Sequence, residues 1–400
     1  MTATHSSDAK PARSRAWRWG AWLGALAILG LGLRLGVPAW CGRDAPRWYD
    51  GDPALQRAFA AELVEFEAHD SADRKAHTNR FAGEWALVTH QMVALGLAQL
   101  CLAHPAWKSE YAPVAKQAAL RSFLPEMRDF GTEAWRGEDA LSTAALAGPH
   151  GHAYLGYSAL ALGMARLVNP PGAFPPQVIA AHDALIAAYV RRLAASPTGL
   201  IETYPGEAYP TDVAAVAAAI AVHARVTGVD RSKVLAHWVE RVRHVQIDRA
   251  SGLLIQRMGA RDGKRHDAPR GSGTGLAAYF ASFVDRALAA QLTDALLRSE
   301  ATFAGFGGVR EYASGHGGDG DVDSGPVILG VSVSATGFAI ASARAFGRRE
   351  AFTRIYRTVD LFGVPSSSAD HFRFRTGGRI GNALMFAFLT SGPQLELARR

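Results

Sequence analysis

The chain has 400 residues, of which 48% are hydrophobic and 20% charged, and its net charge is +7. This length allows one large or two ordinary domains, and the hydrophobic fraction excludes a mostly disordered chain. The two cysteines, Cys41 and Cys101, exclude a disulfide scaffold. They form no CxxC or clustered Cys/His spacing, so we predict neither a metal site nor another cofactor.

The positive charge is concentrated at the N-terminus. Residues 1–18 carry four basic residues against one acidic residue, which supplies +3 of the +7. The remainder is spread over the rest of the chain, so no basic domain stands out and nucleic acid is not predicted as a partner.

Residues 19–40 follow this basic tail as an apolar stretch that only Arg34 interrupts. With Arg34 snorkelling, the stretch is long enough to span a bilayer, and tryptophans flank it like interfacial anchors. A cleaved signal peptide and a buried soluble helix are the alternatives. The preceding basic residues place the N-terminus in the cytoplasm. Because we find no other segment apolar enough to span, the sequence predicts a single-pass protein of the inner membrane.

Nearly everything after residue 50 reads as helix, in stretches near 151–167, 175–195, 211–227, 231–246, 274–300, 329–347, 348–362 and 379–390. About a dozen helices are expected in residues 45–392, with one β-like piece at 252–269 that contains an Asp262-Gly263 turn signal. Several helices are Ala-rich around much of their circumference, which is typical of helices buried on more than one side. The predicted fold is all-α, an (α/α)6 toroid of helical hairpins with one short β-hairpin. A solenoid would show a regular repeat, and none is visible.

Polar residues cluster where loops enter these helices. Trp85 lies near the start of one apolar helix, and the Gly/Pro-rich loop that contains His150 and His152 leads into another. A histidine in such a loop can act as an acid or base, or bind substrate. Capping or a purely structural role is the alternative.

The segment 201–212 opens the helix VAAVAAAIAV and contains Glu202, Tyr204, Tyr209 and Asp212. Capping explains one of these acids. A carboxylate beside an apolar wall has a raised pKa, which makes it a candidate general acid. We therefore predict that Glu202 or Asp212 acts in catalysis and that the two tyrosines position substrate.

Two later segments also place polar residues where a loop enters an apolar helix. Arg310 and Glu311 precede a Gly-rich loop, and Asp323 leads from that loop into another apolar helix. Arg379 begins the last apolar helix and follows a short alternating stretch near 372–375. These residues are candidates for binding substrate, although Arg310 and Glu311 could simply pair with each other.

The order of these segments resembles the linalool dehydratase/isomerase family. The stretch Gly151–Tyr157 is similar to that family's G-H-x-x-L-x-Y helix start, and the V-R-E at 309–311 followed by D-x-D-x-G at 321–325 is similar to a later segment. The resemblance spans about residues 80–390. It implies an (α/α)6 toroid exported to the periplasm, with His152 at the position of the family's acid/base histidine.

The chain also departs from this family. Where the family carries two active-site cysteines, this sequence has Glu202 and a residue near Thr211. We therefore expect acid/base chemistry by His152, Glu202, Asp212 and Asp323 in a central cavity, as in a dehydratase or isomerase acting on a small alcohol. A glycan-acting hydrolase or lyase with an oligosaccharide substrate is the alternative, and a non-catalytic, membrane-tethered scaffold is a third possibility.

Overall fold

The computed structural model describes residues 15–69, 80–128, 134–144, 151–321 and 323–392. This part of the chain is mostly helical, as predicted. Its α-helices are, in chain order, α1 Arg15–Cys41, α2 Ala45–Asp50, α3 Pro53–His69, α4 Arg80–Ala103, α5 Lys108–Ser122, α6 Pro125–Arg128, α7 Ala140–Ala144, α8 Leu155–Val168, α9 Pro176–Ala195, α10 Pro210–Thr227, α11 Ser232–Arg241, α12 Gly271–Ala281, α13 Arg286–Arg298, α14 Val333–Ala345, α15 Arg349–Gly363 and α16 Gly378–Leu389.

The strands of the described residues form three two-stranded antiparallel sheets. They are β1 Glu300–Phe303, β2 Phe306–Val309, β3 Val327–Ile328, β4 Val331–Ser332, β5 Pro365–Ser367 and β6 Phe372–Phe374. The predicted hairpin at 252–269 occurs only as isolated bridges such as Met258 with Arg265. The prediction of a single hairpin was therefore wrong, because strands as short as β3 leave little alternation for a pattern to detect.

Six apolar helices contact one another in a cyclic order. Helix α4 packs against α8, α8 against α10, α10 against α12, α12 against α14, α14 against α16, and α16 returns to α4. Glycines permit the close approaches: a Cβ on Gly156 of α8 would lie 2.7 Å from the backbone nitrogen of Val216 in α10. On Gly96 of α4 it would lie 2.4 Å from the Phe386 ring of α16. These six helices form the core.

Other long helices pack outside this core. Helix α5 lies against α4 and α8, α9 against α8 and α10, α13 against α12 and α14, and α15 against α14. Each covers the core with one apolar face, as an amphipathic surface helix does. The predicted stretch 274–300 is divided into α12 and α13. The break falls at Asp285, whose side chain accepts a hydrogen bond of 2.6 Å from the backbone N–H of Leu288 and so caps α13.

Helix α1 differs from all the others because its apolar side chains face outward. Trp22 and Leu23 are each about two-thirds exposed. The segment Trp22–Asp50 is long and apolar enough to cross a membrane, and only 6% of its most apolar window is buried. A membrane anchor or a signal sequence has these properties.

A second segment, Gly83–Ala103 in α4, passes the same test of length and composition. The expectation that no other segment is apolar enough was therefore wrong. However, this window is 83% buried inside the protein. It is apolar because α4 belongs to the core and is packed by neighbours on most sides.

Candidate functional site

A cavity of about 740 Å³ lies at the N-terminal ends of the six core helices. Each core helix contributes side chains from its first turns, and α16 contributes along its whole length. The positive ends of six helix dipoles therefore converge on it, which favours carboxylates there. The lining residues include Glu84, Trp85, Tyr157, Tyr204, Glu207, Tyr209, Thr211, Asp212, Gln256, Ser272, Gly273, Asp323, Val333, Gly337, Phe362, Ile380, Leu384, Met385 and Phe388.

Two hydrogen bonds hold Asp212 in this cavity. It lies in the first turn of α10, yet it does not cap the helix. Its Oδ1 accepts a hydrogen bond of 2.9 Å from the Tyr157 hydroxyl, and its Oδ2 accepts one of 2.7 Å from the Thr203 hydroxyl. Two donors on adjacent elements thus fix the orientation of the carboxyl group.

The pKa of Asp212 is raised to about 6. The main cause is burial, and the nearby charge of Asp323 adds to it, while the hydrogen bonds from Thr203 and Tyr157 oppose it. The pKa of Tyr157 is raised well above its ordinary value, mainly by burial and then by Asp212, so Tyr157 stays protonated and remains a donor. A carboxyl group with a pKa near 6 can both give and take a proton near neutral pH.

Further carboxylates surround the same space. Asp323 lines the cavity from the exposed side, and its charge and that of Glu84 both act on Tyr157. Glu207 also lines the cavity, but it is held by Arg257 at 2.8 Å and accepts a hydrogen bond of 3.2 Å from the Tyr209 hydroxyl. Asp212 is therefore one member of an acidic group whose members have unlike surroundings.

The opposite wall of the cavity is apolar. Leu384, Met385 and Phe388 of α16 form it, and Phe388 is fully buried. At the mouth, Val333 and Phe362 are largely exposed. The cavity thus offers hydrocarbon contact on one side and hydrogen-bonding groups on the other, as small-molecule sites usually do.

Gly273 of α12 keeps the polar wall open. A Cβ at this position would lie 2.4 Å from Oε1 of Gln256 and 3.1 Å from the hydroxyl oxygen of Thr211. Thr211 donates a hydrogen bond of 2.9 Å to the Gly273 carbonyl. Oε1 of Gln256 is buried at the cavity wall and accepts no hydrogen bond from the described residues. A buried acceptor of this kind is suited to a ligand hydroxyl.

Five of the residues expected at the site line this cavity. They are Asp212, Asp323, Tyr204, Tyr209 and Trp85. Trp85 is 44% exposed at the mouth.

His152 and Glu202 are not among the lining residues, so the expectation that all four catalytic candidates meet in one cavity needs correction. His152 is fully buried, with Nδ1 at 2.9 Å from the Tyr154 hydroxyl. The Tyr154 ring stacks on Tyr204, which forms the wall. Burial lowers the pKa of His152 to about 3, so its ring is neutral. It supports the wall from behind. Glu202 is also buried, and its backbone carbonyl accepts a hydrogen bond from Ala153.

Arg310, Glu311 and Arg379 also lie away from the cavity. Glu311 is buried behind it and accepts a hydrogen bond of 2.6 Å from the Ser272 hydroxyl. Burial raises its pKa. Arg310 bridges to Val331 through its backbone.

Arg379 lies over the Phe66 ring at 5.2 Å, on the outer side of α16. These positions correct the expectation that the three residues contact substrate. His150 lies outside the described residues.

Sequence reasoning assigned no catalytic or binding role to Tyr157, Thr203, Gln256 or Glu84. A signal for Tyr157 was present, because this residue is the last position of the G-H-x-x-L-x-Y stretch. Thr203 lies between Glu202 and Tyr204, which are both predicted site residues. Gln256 lies in the β-like piece, which gave no functional pattern.

Among the described residues, no group of three or more His, Cys, Asp or Glu side chains could hold a metal ion. No protein-family model matches the chain. No curated protein matches it with significant similarity.

Proposed function

We propose that the protein is a membrane-anchored enzyme that uses acid/base chemistry in this cavity, as a lyase or isomerase on a small alcohol. The observation that carries the proposal is Asp212, whose pKa of about 6 and two fixed hydrogen bonds suit proton transfer. The resemblance to the linalool dehydratase/isomerase family agrees with this class of reaction, without the cysteines of that family.

We also propose that the core and outer helices form an (α/α)6 toroid. The cyclic contacts of the six core helices support this, together with α5, α9 and α13, each of which packs against two neighbouring core helices. In such an architecture the cavity lies at one end of the inner ring, where the first turns of the inner helices meet.

The proposed reaction is the elimination of water from an alcohol. Protonated Asp212 gives its proton to the substrate hydroxyl, the C–O bond breaks and water leaves. A carboxylate, Asp323 or Glu84, takes a proton from the neighbouring carbon, and the C–H electron pair forms the new double bond. One proton is given and one is taken, so no oxidant or reductant is needed. Unlike surroundings are what allow two carboxyl groups to play these opposite roles.

The shape of the cavity favours an alcohol over a glycan. The wall formed by Leu384, Met385 and Phe388 has no polar side-chain group to pair with the hydroxyls of an oligosaccharide, and unpaired polar groups are costly to bury. A single hydroxyl can lie at Asp212 and Gln256 while the hydrocarbon contacts α16. A glycan-acting hydrolase or lyase remains the second candidate, since paired carboxylates also serve glycosidic cleavage. A non-catalytic scaffold would use the cavity only for binding.

We further propose that α1 is retained as a single inner-membrane anchor and that the helical domain lies in the periplasm. The basic residues 1–18 before the apolar segment support this orientation.

The test is a substrate screen of the full-length chain against terpene alcohols and oligosaccharides, followed by Tyr157→Phe. Loss of the Tyr157 hydrogen bond makes ionised Asp212 less favourable, so its pKa rises by about 1 unit. If Asp212 is the general acid, the alkaline limb of the pH–rate profile moves up by the same amount.

Tyr279→Phe is the matched control, because this hydroxyl is buried elsewhere and donates to Gln99 at 2.8 Å. We expect its profile to stay in place. Turnover without any movement of the alkaline limb in Tyr157→Phe would show that Asp212 is not the acid. Turnover of oligosaccharides alone would support the glycan-acting enzyme.

A further inference from the structure

Outside α1, the large apolar side chains that the described residues expose are concentrated on a few segments. Leu329 is 93% exposed and Phe303 is 84% exposed. Isolated exposed apolar residues are ordinary, but a contiguous group marks a binding surface. We name this group the apolar face, and it consists of Phe303, Ile328, Leu329, Val333, Leu361, Phe362 and Val364.

The segments of the apolar face adjoin one another. Phe303 lies at the turn between β1 and β2, and Leu329 at the turn between β3 and β4. Strand β2 contacts β4, and α15 packs along β2, where the Thr358 hydroxyl donates a hydrogen bond of 2.6 Å to the Gly307 carbonyl. The end of α15 contributes Phe362. The three segments therefore belong to one side of the molecule.

Helix α1 joins the protein on this same side. Its last turns pack on α15, and Cys41 contacts Asp360 one residue before Leu361. A Cβ on Gly305, in the β1–β2 turn, would lie 3.3 Å from Pro38. The apolar helix thus leaves the body beside Phe303 and the end of α15.

The mouth of the cavity is on this side as well. Val333 and Phe362 belong to the apolar face and also line the cavity. The core helices present their N-terminal ends here, so their C-terminal ends lie at the opposite end of the bundle. The turn after α10, with the exposed Val229, is at that far end.

We propose that the apolar face docks on the bilayer that holds α1, so that the cavity opens against lipid and exchanges its ligand with the membrane. We expect the bilayer to cover the apolar face because α1, which spans that bilayer, joins the body on the same side. At 1.5 Å per residue α1 is about 40 Å long, enough to span the hydrocarbon core. Trp40 and Arg43, stacked at 4.3 Å where α1 ends, suit the interfacial region and anionic headgroups.

Docking is tested on the full-length chain in nanodiscs of phosphatidylethanolamine and phosphatidylglycerol. An environment-sensitive nitrobenzoxadiazole label is attached to Leu329→Cys or to Phe303→Cys, with Val229→Cys as the matched control. The native thiols Cys41 and Cys101 are buried, and the parent chain treated with the same label measures any reaction at them. Doxyl-labelled lipids should quench the labels at 329 and 303 at least twofold more than the label at 229.

Equal quenching at 329 and 229 would overturn the proposal. Shielding at 329 that requires two chains in one nanodisc and vanishes with a single chain would overturn it too, because a second copy would then be the occupant. Neither result depends on activity, so docking can fail or succeed separately from the proposed function.

The statement about ligand exchange rests on the proposed function, since it takes the cavity to be the ligand site. We expect the double variant Phe303→Asp, Leu329→Asp to turn over a membrane-dissolved C15 alcohol in vesicles at least fivefold more slowly than the parent chain. A short, water-soluble alcohol should be converted at the parent rate. Equal slowing for both alcohols would contradict exchange through lipid, and inactivity of the parent chain on both would count against the proposed function instead.

Discussion

The partly buried carboxyl of Asp212 should make the protein less stable as the pH rises, and Asp212→Asn should reverse this. The pKa of about 6 lies above the ordinary value of 3.8, so keeping Asp212 ionised in the folded protein costs about 3 kcal/mol. A pKa raised by folding means that the penalty is absent below about pH 4 and fully present above about pH 6 to 7. Asparagine carries no charge, yet its amide can accept from Tyr157 and donate to Thr203.

We therefore expect Asp212→Asn to unfold at a temperature about 5 °C higher than the parent chain at pH 8, taking roughly 2 °C per kcal/mol for a large domain. The two proteins should coincide near pH 4. The measurement is thermal unfolding of the full-length chain in detergent at pH 4, 6 and 8. Activity should be lost at every pH, which is the usual exchange of function for stability.

Asp183→Asn is the matched control, and its effect should have the opposite sign. Asp183 accepts hydrogen bonds from Arg166 at 2.7 Å and from His223 at 2.9 Å, and these partners lower its pKa against the effect of burial. Loss of the Asp183 charge should lower the free energy of unfolding at pH 8. The loss of stability should become smaller as the pH falls through the lowered pKa of Asp183. If Asp212→Asn lowers the free energy of unfolding at pH 8, as Asp183→Asn should, then ionised Asp212 does not destabilise the folded protein and the raised pKa is wrong.

Three further substitutions test the packing of the protein, two at the cavity wall and one at a buried ion pair. Gly273→Ala should lower the free energy of unfolding by about 1–3 kcal/mol, because its Cβ overlaps Gln256. Gly337→Ala is the matched control on the cavity wall, because its Cβ would make only an ordinary contact of 3.9 Å with Sδ of Met385. It should be neutral or stabilise by up to about 1 kcal/mol. Equal losses of unfolding free energy for the two variants in urea would contradict this reasoning. Glu67→Ala should cost about 3–5 kcal/mol, since it leaves the buried Arg121 without its ion-pair partner. An unfolding free energy within 1 kcal/mol of the parent chain would contradict that reasoning.

The helical organisation could be predicted because burial on several sides leaves a clear pattern. The Ala-rich run after Asp212 predicted a core helix, and α10 is buried along nearly its whole length. Asp212 itself was predictable because a carboxyl group stood next to that apolar run. The short strands were not, since two to four residues carry too little alternation.

The positions of other site residues depend on helix rotation, which local composition does not determine. Arg379 and Ile380 are neighbours in sequence, but successive side chains on a helix point about 100° apart. Ile380 therefore lines the cavity while Arg379 lies over Phe66 on the outside. His152 illustrates a second limit, because a polar loop residue gives no indication of which side of a wall it occupies. One tyrosine ring, that of Tyr154, separates it from Tyr204.

Helix α4 is apolar enough to be stable either in a lipid bilayer or in the core of the protein. Before it packs against α8 and α16, α4 is long and apolar enough to partition into lipid. Gln91 and Gln99 lower its tendency to partition there. In the folded protein Gln99 bonds to the Ala387 carbonyl at 2.8 Å, whereas both polar atoms of the buried Gln91 find no partner among the described residues. Gln91 thus lowers the stability of the folded core and also lowers the affinity of the α4 segment for lipid.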